Sequence, residues 1–273
     1  METKVGLALS GGGAKGFAHV GVIKSLEKHG IPIHVISGVS AGALVGGMYA
    51  SGMVIEEIEE VCLSSGYKEI LKLIFDPSKG SGGVITGKKI DKFIKSHVKK
   101  EKIEDFQIKF VCVAADLVTG KSFYFKKGDV SIAIRASGAV PGVFKPVLYK
   151  GMYLVDGGII EPIALNVVKE LGGEINIGID LSGYPDMKSK IKNGRISMKD
   201  TVYSSFIMMH KKLSDVVFEE NKDFLRINPN VNKISAFMFG SKKVVRDTIK
   251  EGERIMDKNI PKLKDMIKNY QKK

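Results

Sequence analysis

Gly38-Val39-Ser40-Ala41-Gly42 places a serine between an apolar run that ends at Ile36 and an uncharged, helix-like stretch, Ala41–Ala50. A serine on a sharp turn from strand to helix needs small neighbours so that the two elements can pass closely, and Gly38, Ala41 and Gly42 supply them. The turn also sets Ser40 at a helix N-terminus, where unpaired N–H groups and the positive end of the dipole favour developing negative charge. The chemistry such a serine performs is covalent acyl transfer. A second glycine turn, Gly11-Gly12-Gly13-Ala14-Lys15-Gly16, leaves the apolar run Val5–Leu9 about one strand-helix-strand unit earlier. Its main-chain N–H groups are suited to an oxyanion, because glycine reaches the required backbone angles cheaply.

Gly11-x-Gly13-x-x-Gly16 is also the spacing of a dinucleotide-binding loop, so a non-catalytic nucleotide- or membrane-binding α/β protein is the rival reading. A nucleotide site wants an acid about twenty residues on, at the end of the second strand. Here that strand, His34 to Ile36, runs into Ser37-Gly38-Val39-Ser40 with no acid. A phosphate-binding P-loop fails as well, because Lys15 is followed by Gly16 where Ser or Thr would hold magnesium.

A nucleophilic serine needs a proton acceptor. Of the five histidines, His19 and His29 fall in the first helix, His34 opens the second strand and His97 ends a helix. Only His210 follows in the Ser, Asp, His order of α/β-hydrolases, and it lies inside a helical stretch where those enzymes use a loop. The alternative is an aspartate at the carboxyl end of a strand, and Asp116, Asp156 and Asp180 all qualify. Spacing does not choose among the three, and Asp156-Gly157 is also a hairpin signal.

The elements that must position these residues alternate. Strands are expected at Val5–Leu9, His34–Ile36, Ile108–Ala115, Ser122–Phe125 after a Thr119-Gly120 turn, Met152–Val155, Ile175–Ile179 and Phe224–Ile227. Helices are expected at Ala41–Ala50, Val54–Leu63, Thr86–Lys99 with Thr86 as its cap, Val130–Ala136 and Ala164–Leu171. Lys68–Phe75 reads as a short amphipathic piece, and Asp76–Gly83 as a loop bordering the site entrance. The pattern predicts an α/β fold with a mostly parallel sheet between helical layers. The polar, Lys-rich stretch Pro185–Gly194 divides it into a core, residues 1–184, and a basic helical extension packed on that core, residues 185–273. After it come a helix from Ser197 whose Val202, Phe206, Met209, Leu213 and Val217 form a core-packing face, then two basic helices, Ser241–Lys258 and Pro261–Tyr270.

With 273 residues, 44% of them hydrophobic, and a mean hydropathy of +0.02, the chain is globular. No apolar run approaches the roughly 18 residues of a membrane span. Lys4 precedes only five apolar residues that lead straight into a turn, unlike a signal peptide, and the expected location is the cytoplasm. Cys62 and Cys112 lie outside any metal or redox spacing. About ten of the thirteen net positive charges fall after Pro185. Without a recognition motif they do not indicate nucleic acid. They raise peripheral contact with an anionic membrane, at its inner face, against the alternative of a lysine-solvated surface.

Four motifs in order resemble the patatin-like phospholipases: GGGAKG at Gly11–Gly16, GVSAG at Gly38–Gly42, ASGAVPGVFKP at Ala136–Pro146, and DGG at Asp156–Gly158. The resemblance covers roughly residues 4 to 180. It implies a three-layer α/β/α sandwich that hydrolyses acyl esters of lipids with no metal and no cofactor. It also implies that Ser40 is the nucleophile and Asp156 the proton acceptor of a Ser-Asp dyad. Gly11, Gly12 and Gly13 become the oxyanion donors, with Ala41 N–H as an extra one. Gly16, Gly38, Gly42, Gly157 and Gly158 are the motif glycines around them.

Overall fold

The computed structural model describes residues 2–64, 83–184, 187, 191, 194–234 and 241–272. The expected pieces Lys68–Phe75 and most of Asp76–Gly83 and Pro185–Gly194 lie outside them. An eight-stranded sheet organises the chain. Its strands are β1 (Val5–Leu9), β2 (Val35–Val39), β3 (Lys109–Asp116), β4 (Ser122–Phe125), β5 (Val147–Tyr149), β6 (Met152–Asp156), β7 (Ile175–Ile179) and β8 (Leu225–Ile227). The order is β5-β6-β3-β2-β1-β7-β8, with β4 paired to β3 off that path.

From β3 to β8 along this order every pairing is parallel. The β4, β5 and β6 pairings are antiparallel. Chain connectivity explains the change. The parallel strands are joined through helices, whereas β5 returns as β6 through Lys150-Gly151, both at positive φ (50° and 81°), as a two-residue hairpin turn requires.

Side chains alternate between two apolar layers, as period-2 strands dictate. Leu7, Leu9, Ile36, Cys112 and Ala114 pack in the larger layer, while Ala8, Val35, Val111 and Val113 face the other side. Helices α1 (Phe17–Lys28), α2 (Ala41–Ala50), α3 (Ile55–Ser64), α4 (Lys88–His97) and α5 (Val130–Ser137) contribute to the larger layer. Helices α6 (Leu165–Glu170) and α7 (Met198–Glu220) cover the opposite face through Leu165, Val168 and Phe218. This is an α/β fold of three layers whose sheet is parallel at its centre and mixed at one edge.

Several elements differ from expectation. The two C-terminal helices are one, α8 (Lys242–Gln271), which continues through Pro261. Proline removes one helical hydrogen bond, but the buried stripe of Val245, Ile249, Met256, Ile260 and Leu263 extends on both sides of it. Helix α4 starts at Lys88, because Gly87 at φ 78° precedes it, and Thr86 Oγ1 accepts only a 3.3 Å bond from Lys88 N. The face assigned to the core on α7 is partly outside: Val202 and Met209 are 65% and 63% exposed.

Helix α8 lies across α1 at unusually short range. A Cβ on Gly21 would sit 1.9 Å from Ile249 O, and one on Gly252 would sit 2.0 Å from Ala18 O. Two facing glycines therefore set the crossing, and Ser25 Oγ adds a 2.6 Å bond to Asp257. Gly252→Ala must separate the helices, so we expect a loss of about 1–3 kcal/mol, the usual range for overpacking. Equilibrium urea unfolding measures it, and an unchanged midpoint would show that α8 is held by other contacts.

Candidate active site

Strand β2 is longer than its apolar run, because Ser37 is accommodated in the buried strand by donating to Ala164 O at 2.8 Å. The strand ends at Val39, and Ser40 turns the chain with φ 52° and ψ −116° before α2 begins at Ala41. A non-glycine residue in that region costs on the order of 1–3 kcal/mol and persists only where its surroundings fix it. They do so here. A Cβ on Gly42 would be 2.3 Å from Leu9 O, one on Gly38 2.6 Å from Ala43 Cα, and one on Gly16 2.5 Å from Ala41 Cβ. Both glycine turns and the start of α2 thus share one tightly packed corner. Ser40 N donates to Ser137 Oγ at 2.7 Å.

Asp156 comes to the same corner through β3. Val113 pairs with Val39 and the next residue, Ala114, pairs with Asp156, so one strand holds both ends in register. Asp156 N donates to Ala139 O at 3.0 Å. The segment Ser137–Ala139 therefore ties down both backbones, a role that the sequence assigned to no residue. Gly157 fits only without a side chain, since its Cβ would lie 2.4 Å from Val113 O. Instead of a hairpin the chain makes a 3-10 turn, in which Asp156 Oδ1 accepts from Gly158 N at 2.8 Å. The carboxylate is 5% exposed. Burial pushes its pKa up from 3.8 to about 6, opposed by the nearby Ser40 side chain and by the bond from Gly158 N.

The first glycine turn lies against Ser40, with a Cβ on Gly11 only 3.4 Å from Ser40 Cβ. Gly11 is not an open donor, and here the expectation is corrected. Its N–H is committed to Pro162 O at 3.1 Å, which anchors the turn to the segment after β6. Among the described residues no backbone acceptor takes the N–H of Gly12 or Gly13. Ala41 N–H, at the first position of α2, has no partner within its helix. Ser10 fixes the approach, its hydroxyl donating to Gly11 O at 3.2 Å and accepting from Leu181 N at 3.0 Å.

Two side chains that sequence reasoning left aside stand at this corner. Helix α7 brings His210 Nε2 to 3.4 Å from the Cβ position of Gly158 and 3.5 Å from that of Gly11. Its place inside a helix was legible, but its position beside the glycine turn is set by tertiary packing. Burial pulls its pKa down to about 4, Asp180 working against this and Lys15 with it. Lys15 is 6% exposed, and burial lowers its pKa while Asp180 opposes.

The other acids are spoken for. Asp116 accepts from Thr119 Oγ1 at 2.8 Å and from Val118 N at 3.2 Å, which hold its carboxyl below the usual range. Asp180 is fully buried, takes Arg226 Nε at 3.1 Å and Ser182 N at 2.9 Å. His19 is buried on Ser10 O at 2.9 Å, away from any carboxylate partner among the described residues. Of the three strand-end aspartates, only Asp156 is brought to Ser40.

Known proteins resemble the chain in sequence and in fold. The chain is 39% identical over 180 residues to an uncharacterised NTE family protein of Mycobacterium tuberculosis, a match covering 66% of this chain and 49% of that protein. It is 35% identical over 184 residues to a lysophospholipase NTE1 of Candida albicans, covering 67% of this chain and 13% of that one. The chain thus spans about half the length, or less, of these curated relatives. Its fold matches VipD of Legionella pneumophila with a TM-score of 0.53 at 15% identity, over 99% of this chain and 67% of that one. The profile of patatin-like phospholipases matches residues 7–168, which include both glycine turns, Ser40 and Asp156. The chain belongs to the patatin-like phospholipase family.

Proposed function

We propose that the chain is a serine acyl hydrolase that cleaves the acyl esters of lipids, of the phospholipase A or lysophospholipase type. Its catalytic unit is residues 1–184, and the basic extension, residues 185–273, draws it from the cytoplasm to the anionic inner face of the membrane. The observation that carries the reading is that Ser40, held on its turn against the first glycine turn, stands one register step along β3 from a buried carboxylate, Asp156. The name of the Candida relative adds support for a lysophospholipid as substrate.

In this mechanism Ser40 Oγ attacks the ester carbonyl carbon as its proton passes to Asp156. Gly158 N already occupies Asp156 Oδ1, which leaves the other oxygen to receive the proton. The N–H groups of Gly12, Gly13 and Ala41 bind the oxyanion, and Gly11 positions the turn without donating. Collapse of the intermediate breaks the C–O bond, and Asp156 returns the proton to the departing alcohol. Water then attacks the acyl-enzyme, Asp156 takes its proton, and fatty acid leaves as Ser40 is restored.

Ser40→Ala is expected to abolish both ester hydrolysis and labelling by a fluorophosphonate while leaving the melting temperature within a few degrees of wild type. Persistent labelling would place the nucleophile elsewhere. Gly12→Ala is expected to lower kcat by the roughly 2.7–4 kcal/mol typical of a lost oxyanion donor, with a smaller change in KM. A change confined to KM would remove Gly12 from that role.

The titrations separate base from bystander. With Asp156 near 6 and His210 near 4, kcat/KM should fall on the acid side with a midpoint at about 6. His210→Ala should leave that midpoint in place, and Asp156→Asn should cost at least about a hundredfold. A midpoint near 4 that His210→Ala abolishes would transfer the role to the histidine. The same shift fixes a stability trend. A carboxyl whose pKa rises on folding stabilises the fold fully below about 3.9, and this is lost as pH rises through about 6. Asp156→Asn should therefore gain stability relative to wild type between pH 4 and 7, by on the order of 3 kcal/mol at most. Parallel melting curves of the two proteins across that range would contradict the shift.

A further inference from the structure

Helix α7 packs on the sheet through Phe218 but leaves apolar side chains on its outer face. Along its 23 residues the buried positions include Ser204 and Ser214, whose hydroxyls have no hydrogen-bond partner among the described residues. Its exposed positions include Met198 at 84%, Val202 at 65%, Met208 at 50% and Met209 at 63%. Residues 198, 202, 209 and 216 fall on one face at 3.6 residues per turn, so the exposed apolar groups form a stripe. A water-facing helix ordinarily carries the opposite arrangement.

The helix that carries the stripe crosses the site. Near the C-terminal end of α7, Phe218 packs against Gly178 of β7, which pairs with Ala8. Two turns earlier, His210 reaches Gly11 and Gly158. From His210 back to Met198 the helix runs about 18 Å further, at 1.5 Å per residue, past the edge of the sheet from which Ser40 emerges. On that same edge β3 continues beyond the level of Val39 to Leu117 and Val118, which are 53% and 73% exposed. Leu117 N bonds Tyr153 O, and Tyr153 pairs with Leu148, themselves 50% and 65% exposed.

Exposed cations accompany these apolar groups. Lys121, Lys150, Arg195 and Lys212 are exposed. The acids are engaged within the fold: Asp116 with Thr119, Glu161 with Ser122 and Tyr124, Asp200 with the Ser197 cap, and Asp215 with Lys211 and Arg226. Apolar groups ringed by cations at the mouth of a site fit an anionic bilayer, with side chains among the acyl chains and lysines at the headgroups. A second copy of the chain seated there would cover the entrance to Ser40.

We propose that the overhanging half of α7, with the edge formed by Leu117, Val118, Leu148 and Tyr153, is the face the protein sets into an anionic lipid surface. The proposal rests on the reading of the chain as a lipid ester hydrolase, which supplies the reason for this edge to meet lipid. It assigns contact to α7 and not to the basic helix α8.

The chain contains no tryptophan, so one introduced residue reports its own surroundings. Met209→Trp tests the stripe. Val54→Trp is the control, because Val54 is exposed where α2 has run back from Ser40 to the other edge of the sheet. Both are made with Ser40→Ala, so that the vesicles stay intact. With phosphatidylglycerol vesicles the residue at 209 should shift to the blue and be quenched by brominated acyl chains, more weakly with phosphatidylcholine or high salt. The residue at 54 should do neither. No shift at 209, or equal shifts at both positions, overturns the proposal whether or not the chain has activity.

A second measurement uses the chain with Ser40 intact. Replacing Met198, Val202 and Met209 by Gln should lower hydrolysis of vesicle lipid at least tenfold and leave a water-soluble short-chain ester within twofold. Equal loss on both substrates, or none on vesicles, rejects the docking face. A dimer in light scattering that the triple substitution dissociates, without effect on vesicle binding, makes the stripe a contact between copies and rejects it equally. If wild type cleaves neither substrate, the functional reading fails, and the fluorescence shifts alone decide the docking face.

Discussion

Keeping the Asp156 carboxylate out of water, one β-register step from Ser40, is the constraint on which the rest of the site depends. In water a carboxylate near 3.9 is a poor proton acceptor at neutral pH, and desolvation brings it to about 6, nearer the value a general base requires. That burial costs free energy unless the charge is hydrogen-bonded. Gly158 N supplies such a bond and the Ser40 side chain also favours the charged form, while Ala139 O and the fit of Gly157 against Val113 O keep the backbone in place. Loosening any of these contacts would admit water and return the carboxyl toward its ordinary value.

The serine turn is the second constraint, and it works by opposition. Its backbone angles are unfavourable for a residue with a side chain, so β2, α2 and the Ser137 hydroxyl must hold it. Gly42 allows α2 to start in contact with Leu9 O, and Gly16 allows the first glycine turn to touch Ala41. Donors fixed in this manner need no rearrangement when charge develops on a bound carbonyl, which is where catalytic electrostatics gains most.

How far the sequence discloses this depends on which residues carry the signal. Strands β1 and β7 are legible to the residue, because a uniformly buried run leaves no other choice. Strand β2 looks shorter than it is, since Ser37 and Gly38 resemble a turn, and Ala164 O accepts the Ser37 hydroxyl within the strand. The β5–β6 hairpin turns on Lys150-Gly151, which lacks the Asn-Gly or Asp-Gly signal of its turn type. The sequence divides helix α8 at Pro261, because packing against α1 leaves no local trace in that proline. The same holds at the site. Three strand-end aspartates were equivalent by spacing, and the pairing of Ala114 with Asp156 brings that one to Ser40. Gly11 carried every mark of a donor except the carbonyl of Pro162 that occupies it.

Helix α7 joins the chemistry to the surface. Ser40 and the glycine turns come from the carboxyl ends of the parallel strands β1 and β2, as open α/β sheets require, and Asp156 from the end of the antiparallel β6. A helix laid across that opening must turn polar or small residues inward, because apolar bulk there would fill the space above Ser40 and the glycine turns. Helix α7 does so with His210, which stands beside Gly11 and Gly158. Its methionines and Val202 are then left on the outside, beyond the reach of the core. The inner side of α7 thus carries His210 to the cleft and Phe218 to the core, and at 3.6 residues per turn Met198, Val202 and Met209 are left on the opposite side.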